Sequence, residues 1–120
     1  MATYSKELLS GSTQGKAVKV AATSSPGTTI HATGVSSTIE DEIWLYAYNS
    51  SSVAVALTIQ FGGTTSPDND IKLSIPAISG LTLVIPGLIL TGTGSDANTV
   101  YAYATTANVI TISGYVNRIT

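Results

Sequence analysis

The segment from Glu42 to Phe61 constrains the fold most, because it contains two apolar–polar alternations joined by the short run Asn-Ser-Ser-Ser at 49–52. Successive side chains of a strand leave opposite faces of the backbone, so a period of two predicts strands. The run at 49–52 consists of turn formers, and the segment therefore predicts an antiparallel hairpin. Neither strand has a wholly polar face, which predicts a pair covered on both sides, by a second sheet and by a neighbouring chain or a loop. The first strand has Ile43, Leu45 and Ala47 on one face and Trp44, Tyr46 and Tyr48 on the other.

Short alternating runs continue along the rest of the chain, separated by loops rich in Gly, Pro, Ser and Asn. They number about eight, and no helix longer than one turn is predicted. Such a series predicts an all-β protein built as an antiparallel β-sandwich or a small barrel. Eight strands fit a jelly roll best, and an immunoglobulin-like arrangement of seven strands is the alternative. With 120 residues the chain is expected to form one domain.

The first 14 residues lack a pattern of their own. Residues 6–9 could form one helical turn, but Gly11 and Gly15 follow closely, and so short a helix is marginal by itself. We therefore predict an extended N-terminal arm over residues 1–14, ordered only where something else holds it. The single β-sandwich domain is predicted to cover residues 15–120.

The composition argues against several classes of protein. Charged residues make up only 10% of the chain, whereas about 25% is usual. The net charge of −2 and the five scattered Lys and Arg residues predict no nucleic-acid binding, which needs a basic patch. There is no cysteine, so neither a disulfide nor a thiolate metal site can form. No segment has the apolar pattern of a signal peptide or a membrane span, and we expect a soluble product made in a cytoplasm.

The residues with catalytic or metal-binding chemistry do not form a recognisable site. His31 is the only histidine, and without a cysteine or a Gly-x-Ser-x-Gly turn we expect it to make a structural hydrogen bond. The acidic run 40–42 is predicted to be a solvated strand entrance, with Asp41 on the opposite face from its neighbours. The loop residues Asp68, Asp70 and Asp96 are expected to cap turns, since Ca²⁺ requires six to eight oxygen ligands. We predict no enzyme activity, no catalytic residue, no cofactor and no metal.

The aromatic residues Trp44, Tyr46 and Tyr48 share one strand face and admit two interpretations. Exposed flat rings form sugar-binding platforms. Trp and Tyr are also enriched in packed cores and in subunit interfaces, and we favour packing or an interface.

Three stretches of the sequence resemble a known group of proteins: residues 4–13 (YSKELLSGST), 62–68 (GGTTSPD) and 113–119 (SGYVNRI). They resemble small virion proteins of tailed bacteriophages encoded near head-assembly genes, especially the capsid decoration (cement) type. The resemblance implies a β-sandwich or jelly-roll module on the outside of the head, often a trimer at local three-fold positions. Such modules clamp neighbouring capsid subunits after the shell expands. The implied partners are further copies of the chain and the major capsid protein, and the implied location is the capsid surface of the virion.

The predicted contacts with these partners involve the arm and the tyrosine-rich strands. A carbohydrate-binding or host-adhesion module of a fibre or tail is the alternative, as is a neck or tail structural protein. A small glycosidase would need two carboxyl groups across a cleft, which nothing in the sequence supports. The candidate interface residues are Tyr4, Leu8 and Leu9 of the arm, Trp44, Tyr46 and Tyr48, and Tyr101 and Tyr103.

Overall fold

Residues 2–120 are described by a computed structural model in which two antiparallel sheets enclose one apolar core. The prediction of an all-β protein with antiparallel sheets is confirmed. Nine strands occur in the described residues instead of the eight predicted, and no helix there is long and apolar enough to cross a membrane. The strands are β1 (Tyr4–Leu8), β2 (Val18–Lys19), β3 (Thr28–Ala32), β4 (Glu40–Asn49), β5 (Val55–Phe61), β6 (Asp70–Ile75), β7 (Thr82–Leu90), β8 (Thr99–Ala104) and β9 (Ile110–Ile119).

The five-stranded sheet has the order β1-β9-β4-β7, and β2 also pairs with β9. Because β4 pairs with β9 along residues 110–119, β1 and β2 lie on the other side of β9. There β1 pairs with residues 115–119, and β2 pairs with residues 111 and 112. The two strands therefore form one interrupted edge of this sheet. The four-stranded sheet has the order β3-β8-β5-β6.

The predicted hairpin over residues 42–61 is wrong, because β4 and β5 belong to different sheets. Residues 49–52 instead begin a crossover between the sheets, and the fully buried Asn49 holds it. The Asn49 amide nitrogen donates to the carbonyl oxygens of Val53 at 2.8 Å and Ile75 at 3.0 Å. The Asn49 carbonyl oxygen accepts from the Ser51 N–H at 2.9 Å. Turn-forming residues between two alternating runs fit a crossover as well as a hairpin.

The extended arm predicted over residues 1–14 is not confirmed. Residues 4–8 form β1 within the sheet, and Leu9 is buried in the core at 3% exposure. The segment looked patternless because both faces of this edge strand are largely exposed, so its sequence does not alternate. Met1 lies outside the described residues.

The core lies between the two sheets and consists of inward-facing aliphatic side chains. The alternation predicted for β4 is confirmed, since Ile43, Leu45 and Ala47 are fully buried while Trp44 and Tyr46 lie on the outer side. Completely buried side chains of the opposite sheet complete the core, namely Ile30, Leu57, Ile59, Ile75, Val100 and Ala102.

Candidate functional site: the outer face of the five-stranded sheet

Four aromatic residues form the outer face of the five-stranded sheet, and we call them the aromatic face: Trp44, Tyr46, Tyr48 and Tyr115. In the β4–β9 ladder Trp44 lies directly opposite Tyr115, and all four side chains are half-buried. Side chains opposite each other in a ladder share a face, so the Trp44 and Tyr115 rings are neighbours. The aromatic face thus presents an extended surface that is partly accessible.

Trp44 is fixed in position by polar and aromatic neighbours. Its indole N–H donates to the Glu42 carboxylate at 2.9 Å, and the Asn117 amide donates to the same oxygen at 3.0 Å. The hydrogen bonds from Asn117 and Trp44 lower the pKa of Glu42, so the carboxylate stays ionised as their acceptor. The Trp44 ring stacks on Tyr115, with centroids 6.3 Å apart and planes at 15°. The Lys6 ammonium lies over the Tyr115 ring, 5.0 Å from its centroid.

A glycine bulge in β7 makes room for the indole ring. The pairing of Ile43 with Leu88 and of Trp44 with Pro86 leaves Gly87 unpaired, and Gly87 has a φ of +78°. A Cβ atom at Gly87 would lie 2.7 Å from Cζ2 of Trp44, closer than side chains can pack. The bulge therefore lets the indole lie against the backbone of β7.

Beside the aromatic face lies the free edge of the sheet, formed by β7. We call its exposed side chains Leu81, Leu83, Leu88 and Ile89 the apolar edge; they are 41–61% exposed. Leu83 pairs with Tyr46 and Ile89 with Glu42, so both side chains adjoin the aromatic face. No charged residue occurs between Lys72 and Asp96. The edge strands β1 and β6, in contrast, carry charged residues that discourage association.

Backbone features of β7 determine how this edge can make contacts. Pro86 cannot donate a hydrogen bond, and the two register shifts between β4 and β7 bend the strand. Both features disfavour the addition of a further strand along the whole edge. The apolar edge is therefore suited to contacts through its side chains.

The predicted interface residues lie in three different places. Tyr4 and Leu8 are exposed on β1 at 71% and 60%, and Leu8 pairs with Tyr115, so it adjoins the aromatic face. Leu9 points into the core and cannot serve as a contact residue, which corrects that prediction. Tyr101 and Tyr103 are on β8 of the other sheet. No flat contact can therefore include all of these residues.

The outer face of the four-stranded sheet is partly covered by the protein's own loop. Gln60 points outward from β5 but is only 1% exposed. Its side-chain oxygen accepts from the Gly27 N–H at 2.9 Å, and its nitrogen donates to the Ser25 hydroxyl at 2.8 Å. A Cβ atom at Gly27 would lie 2.5 Å from the carbonyl oxygen of Ala102, so the loop lies directly on β8. The predicted second cover of β5 is thus a loop.

Sequence reasoning missed Tyr115 of the aromatic face and all four residues of the apolar edge. Leu81 and Leu83 alternate in a run without charges, which is a signal for an exposed apolar edge. Tyr115 gave no such signal, because its place opposite Trp44 depends on pairing between strands about 70 residues apart in the chain.

A cluster of charged and polar residues lies at one end of the space between the sheets, with His31 and Asp41 buried and with Arg118 and Glu7 partly exposed. Asp41 is 1% exposed, so the prediction that residues 40–42 are a solvated strand entrance is wrong for Asp41. His31 Nε2 lies 2.8 Å from one Asp41 oxygen. Arg118 donates from Nε at 2.8 Å and from Nη2 at 3.1 Å to the two Asp41 oxygens. Glu7 lies 3.9 Å from the Arg118 guanidinium. Burial alone would raise the pKa of Asp41, but hydrogen bonds from Arg118 and His31 outweigh this effect and lower the pKa.

Ser10, His31 and Asp41 do not have the geometry of a catalytic triad. The Ser10 hydroxyl accepts from the Ala32 N–H at 2.7 Å, whereas the Ser10 backbone N–H contacts His31 Nδ1 at 3.0 Å. In a triad the hydroxyl donates to the imidazole. The structural hydrogen bond predicted for His31 is confirmed. In the range 2–120, no three His, Cys, Asp or Glu side chains are grouped so that they could hold a metal ion.

Protein-family models, curated proteins and solved structures all give no significant match to this chain.

Proposed function

We propose that the protein is a non-enzymatic structural protein of a tailed bacteriophage that binds the outside of the capsid as a homotrimer and stabilises the head shell. The proposal combines the sequence resemblance with one structural observation, the uncharged apolar edge beside the aromatic face. Its partners are then further copies of the chain and the major capsid protein. Its place is the capsid surface of the virion.

The strand order supports a jelly roll as the finer description of the fold. Strands β2 to β9 give two four-stranded rows, β2-β9-β4-β7 and β3-β8-β5-β6. Eight antiparallel strands in two sheets, with the first strand beside the last, are typical of jelly rolls, which are common in viral capsid proteins. In this description β1 and β2 are the two halves of one interrupted edge strand, which accounts for the ninth strand.

The apolar edge can contribute substantially to association. Complete burial of a Leu or Ile side chain stabilises by about 1.5–3 kcal/mol, so four half-exposed side chains offer about 4 kcal/mol per chain. Because no charged residue occurs between Lys72 and Asp96, β7 itself has no charge to desolvate in this contact; the nearest carboxylate is Glu42, opposite Ile89. The β7 side chains of neighbouring copies would therefore bring no like charges together.

Lysine substitutions test the contact between copies. Leu83→Lys and Ile89→Lys place a charge on the apolar edge, and each is expected to shift the light-scattering mass from trimer to monomer. Val53→Lys is the matched control, because Val53 is 63% exposed but lies in the crossover loop. If both edge variants keep the mass of the unmodified protein, this edge is not the contact.

Localisation on the particle tests the capsid role. Gold-labelled antibody against the purified protein, applied to virions of the phage that encodes it, is expected to label the head shell. Labelling confined to the neck or tail would favour the neck or tail assignment. Virions without any label would contradict a structural role in the particle.

A carbohydrate-binding or host-adhesion module of a fibre or tail is the second candidate, favoured by the polar residues Glu42 and Asn117 beside the half-buried Trp44. Tyr115 and Gly87 already contact the indole ring, which reduces the area left for a sugar. A glycan array distinguishes the two functions: binding that is lost in Trp44→Ala supports the adhesion module.

A further inference from the structure

The hydrogen bonds of His31 determine which of its ring nitrogens carries hydrogen. The Ser10 backbone N–H is a donor, so the Nδ1 atom that it contacts at 3.0 Å must be the acceptor and carries no hydrogen. The proton of a neutral imidazole then lies on Nε2, which donates to the Asp41 carboxylate at 2.8 Å. Since His31 is 1% exposed, water cannot readily replace either partner.

The Ser10 contact joins the segment after β1 to the other sheet. Ser10 follows strand β1 of the five-stranded sheet, whereas His31 lies on β3 of the four-stranded sheet. Two further hydrogen bonds hold the same segment, from the Ala32 N–H to the Ser10 hydroxyl and from the Gly11 N–H to the Ile30 carbonyl. His31 supplies the only titratable group among these three bonds.

We propose that His31 is a pH-sensitive clasp: the neutral ring helps to hold the Ser10 segment against β3 through Nδ1, and protonation of Nδ1 removes this hydrogen bond and loosens that segment. A hydrogen on Nδ1 would point at the Ser10 N–H, so two donors would face each other. The clasp is therefore complete while the ring is neutral and weakens when Nδ1 is protonated.

Because of the charges around His31, protonation weakens its hydrogen bond with Ser10 and not its contact with Asp41. The charged groups facing His31 are Asp41 on β4 and, beyond it, Arg118 on β9 and Glu7 on β1. With a neutral ring this group carries one net negative charge, and a proton on His31 makes it neutral. The protonated ring keeps its Nε2 contact with Asp41 as an ion pair. The bond that is lost is the one to Ser10, while the rest of the cluster stays paired.

Amide exchange and imidazole ¹⁵N shifts of the protein test the clasp at about pH 8 and about pH 5, the range in which imidazoles change charge. At the higher pH the ¹⁵N shifts should show hydrogen on Nε2 and none on Nδ1. At the lower pH we expect the protection factor of the Ser10 amide to fall about tenfold or more, as for loss of one buried hydrogen bond. The amide of Tyr46 in β4 serves as the internal reference and should keep its protection.

The variant His31→Asn gives the matched control, because its side-chain oxygen can accept from Ser10 at both pH values. We expect its Ser10 protection to be independent of pH. The proposal is overturned if Nδ1 carries hydrogen at the higher pH. It is also overturned if the unmodified protein keeps full Ser10 protection at the lower pH, or if Ser10 and Tyr46 lose protection together. The results on the unmodified protein test the clasp even if the variant does not fold.

Discussion

Replacing Asp41 by Asn tests the buried charged cluster, because it keeps the shape of the side chain and removes its charge. Asp41 accepts three hydrogen bonds at 2.8–3.1 Å, one from His31 and two from Arg118. An Asn side chain has one oxygen, and its NH₂ group would face either the imidazole N–H or the guanidinium. At least one donor of the cluster therefore loses its acceptor.

The expected cost follows from the burial of the partners. Removing one partner of a fully buried ion pair costs about 3–5 kcal/mol. Arg118 is 31% exposed and can regain some hydration, so we expect a loss of about 2–3 kcal/mol in the free energy of unfolding at pH 7. Urea denaturation followed by Trp44 fluorescence measures it. Asp68→Asn, at an exposed loop position, is the control and should change stability by less than about 0.5 kcal/mol.

The pH dependence gives an independent check of the same reasoning. The pKa of Asp41 is lowered in the folded protein, so its stabilisation is complete above the unfolded pKa of about 4 and is lost as pH falls through the folded pKa. The difference in stability between the unmodified protein and Asp41→Asn should therefore be present above about pH 4 and shrink below it. A loss under about 1 kcal/mol at pH 7, or a difference that stays constant in acid, would refute the reasoning.

Two further substitutions test the bulge and the crossover by urea denaturation. Gly87→Ala should destabilise by about 2–4 kcal/mol, because it combines a positive φ with contact against Trp44. Gly80→Ala has a φ of +73° but open space around its Cβ, so it should cost only about 1–2 kcal/mol; equal costs would contradict the role of the indole contact. Asn49→Ala should cost about 2–4 kcal/mol, because it removes the donors for two carbonyl oxygens, while Ser52→Ala in the same loop should be nearly neutral. A small effect of Asn49→Ala would show that water replaces this side chain in the crossover.

Local pattern predicted much of the fold, because a strand's alternation is a property of neighbouring residues. The inward set Ile43, Leu45 and Ala47 could be identified in this way. Which strands pair with each other could not be predicted, because pairing depends on contacts between residues that are distant in the sequence. The pairing of β4 with β9 instead of β5 is such a case, as is the burial of Asn49 in the crossover.

The candidate site shows the same limit. Trp44 and Tyr46 could be predicted as one face, but Tyr115 joins them only through the β4–β9 ladder. Alternation placed Asp41 on the opposite face from Glu40 and Glu42. The Asp41 carboxylate can be buried there because it is hydrogen-bonded to His31 and Arg118, which are 10 and 77 residues away in the sequence.

The proposed function depends on one claim, that copies of the chain associate through the apolar edge and the adjoining aromatic face. The most direct measurement is the native mass of the purified protein by light scattering over a wide range of concentrations. We expect a stable species of about three times the 12.3 kDa of one chain, reduced to a single chain in Leu83→Lys. A monomer at every concentration, with the same hydrodynamic behaviour in Leu83→Lys, would contradict the proposed homotrimer.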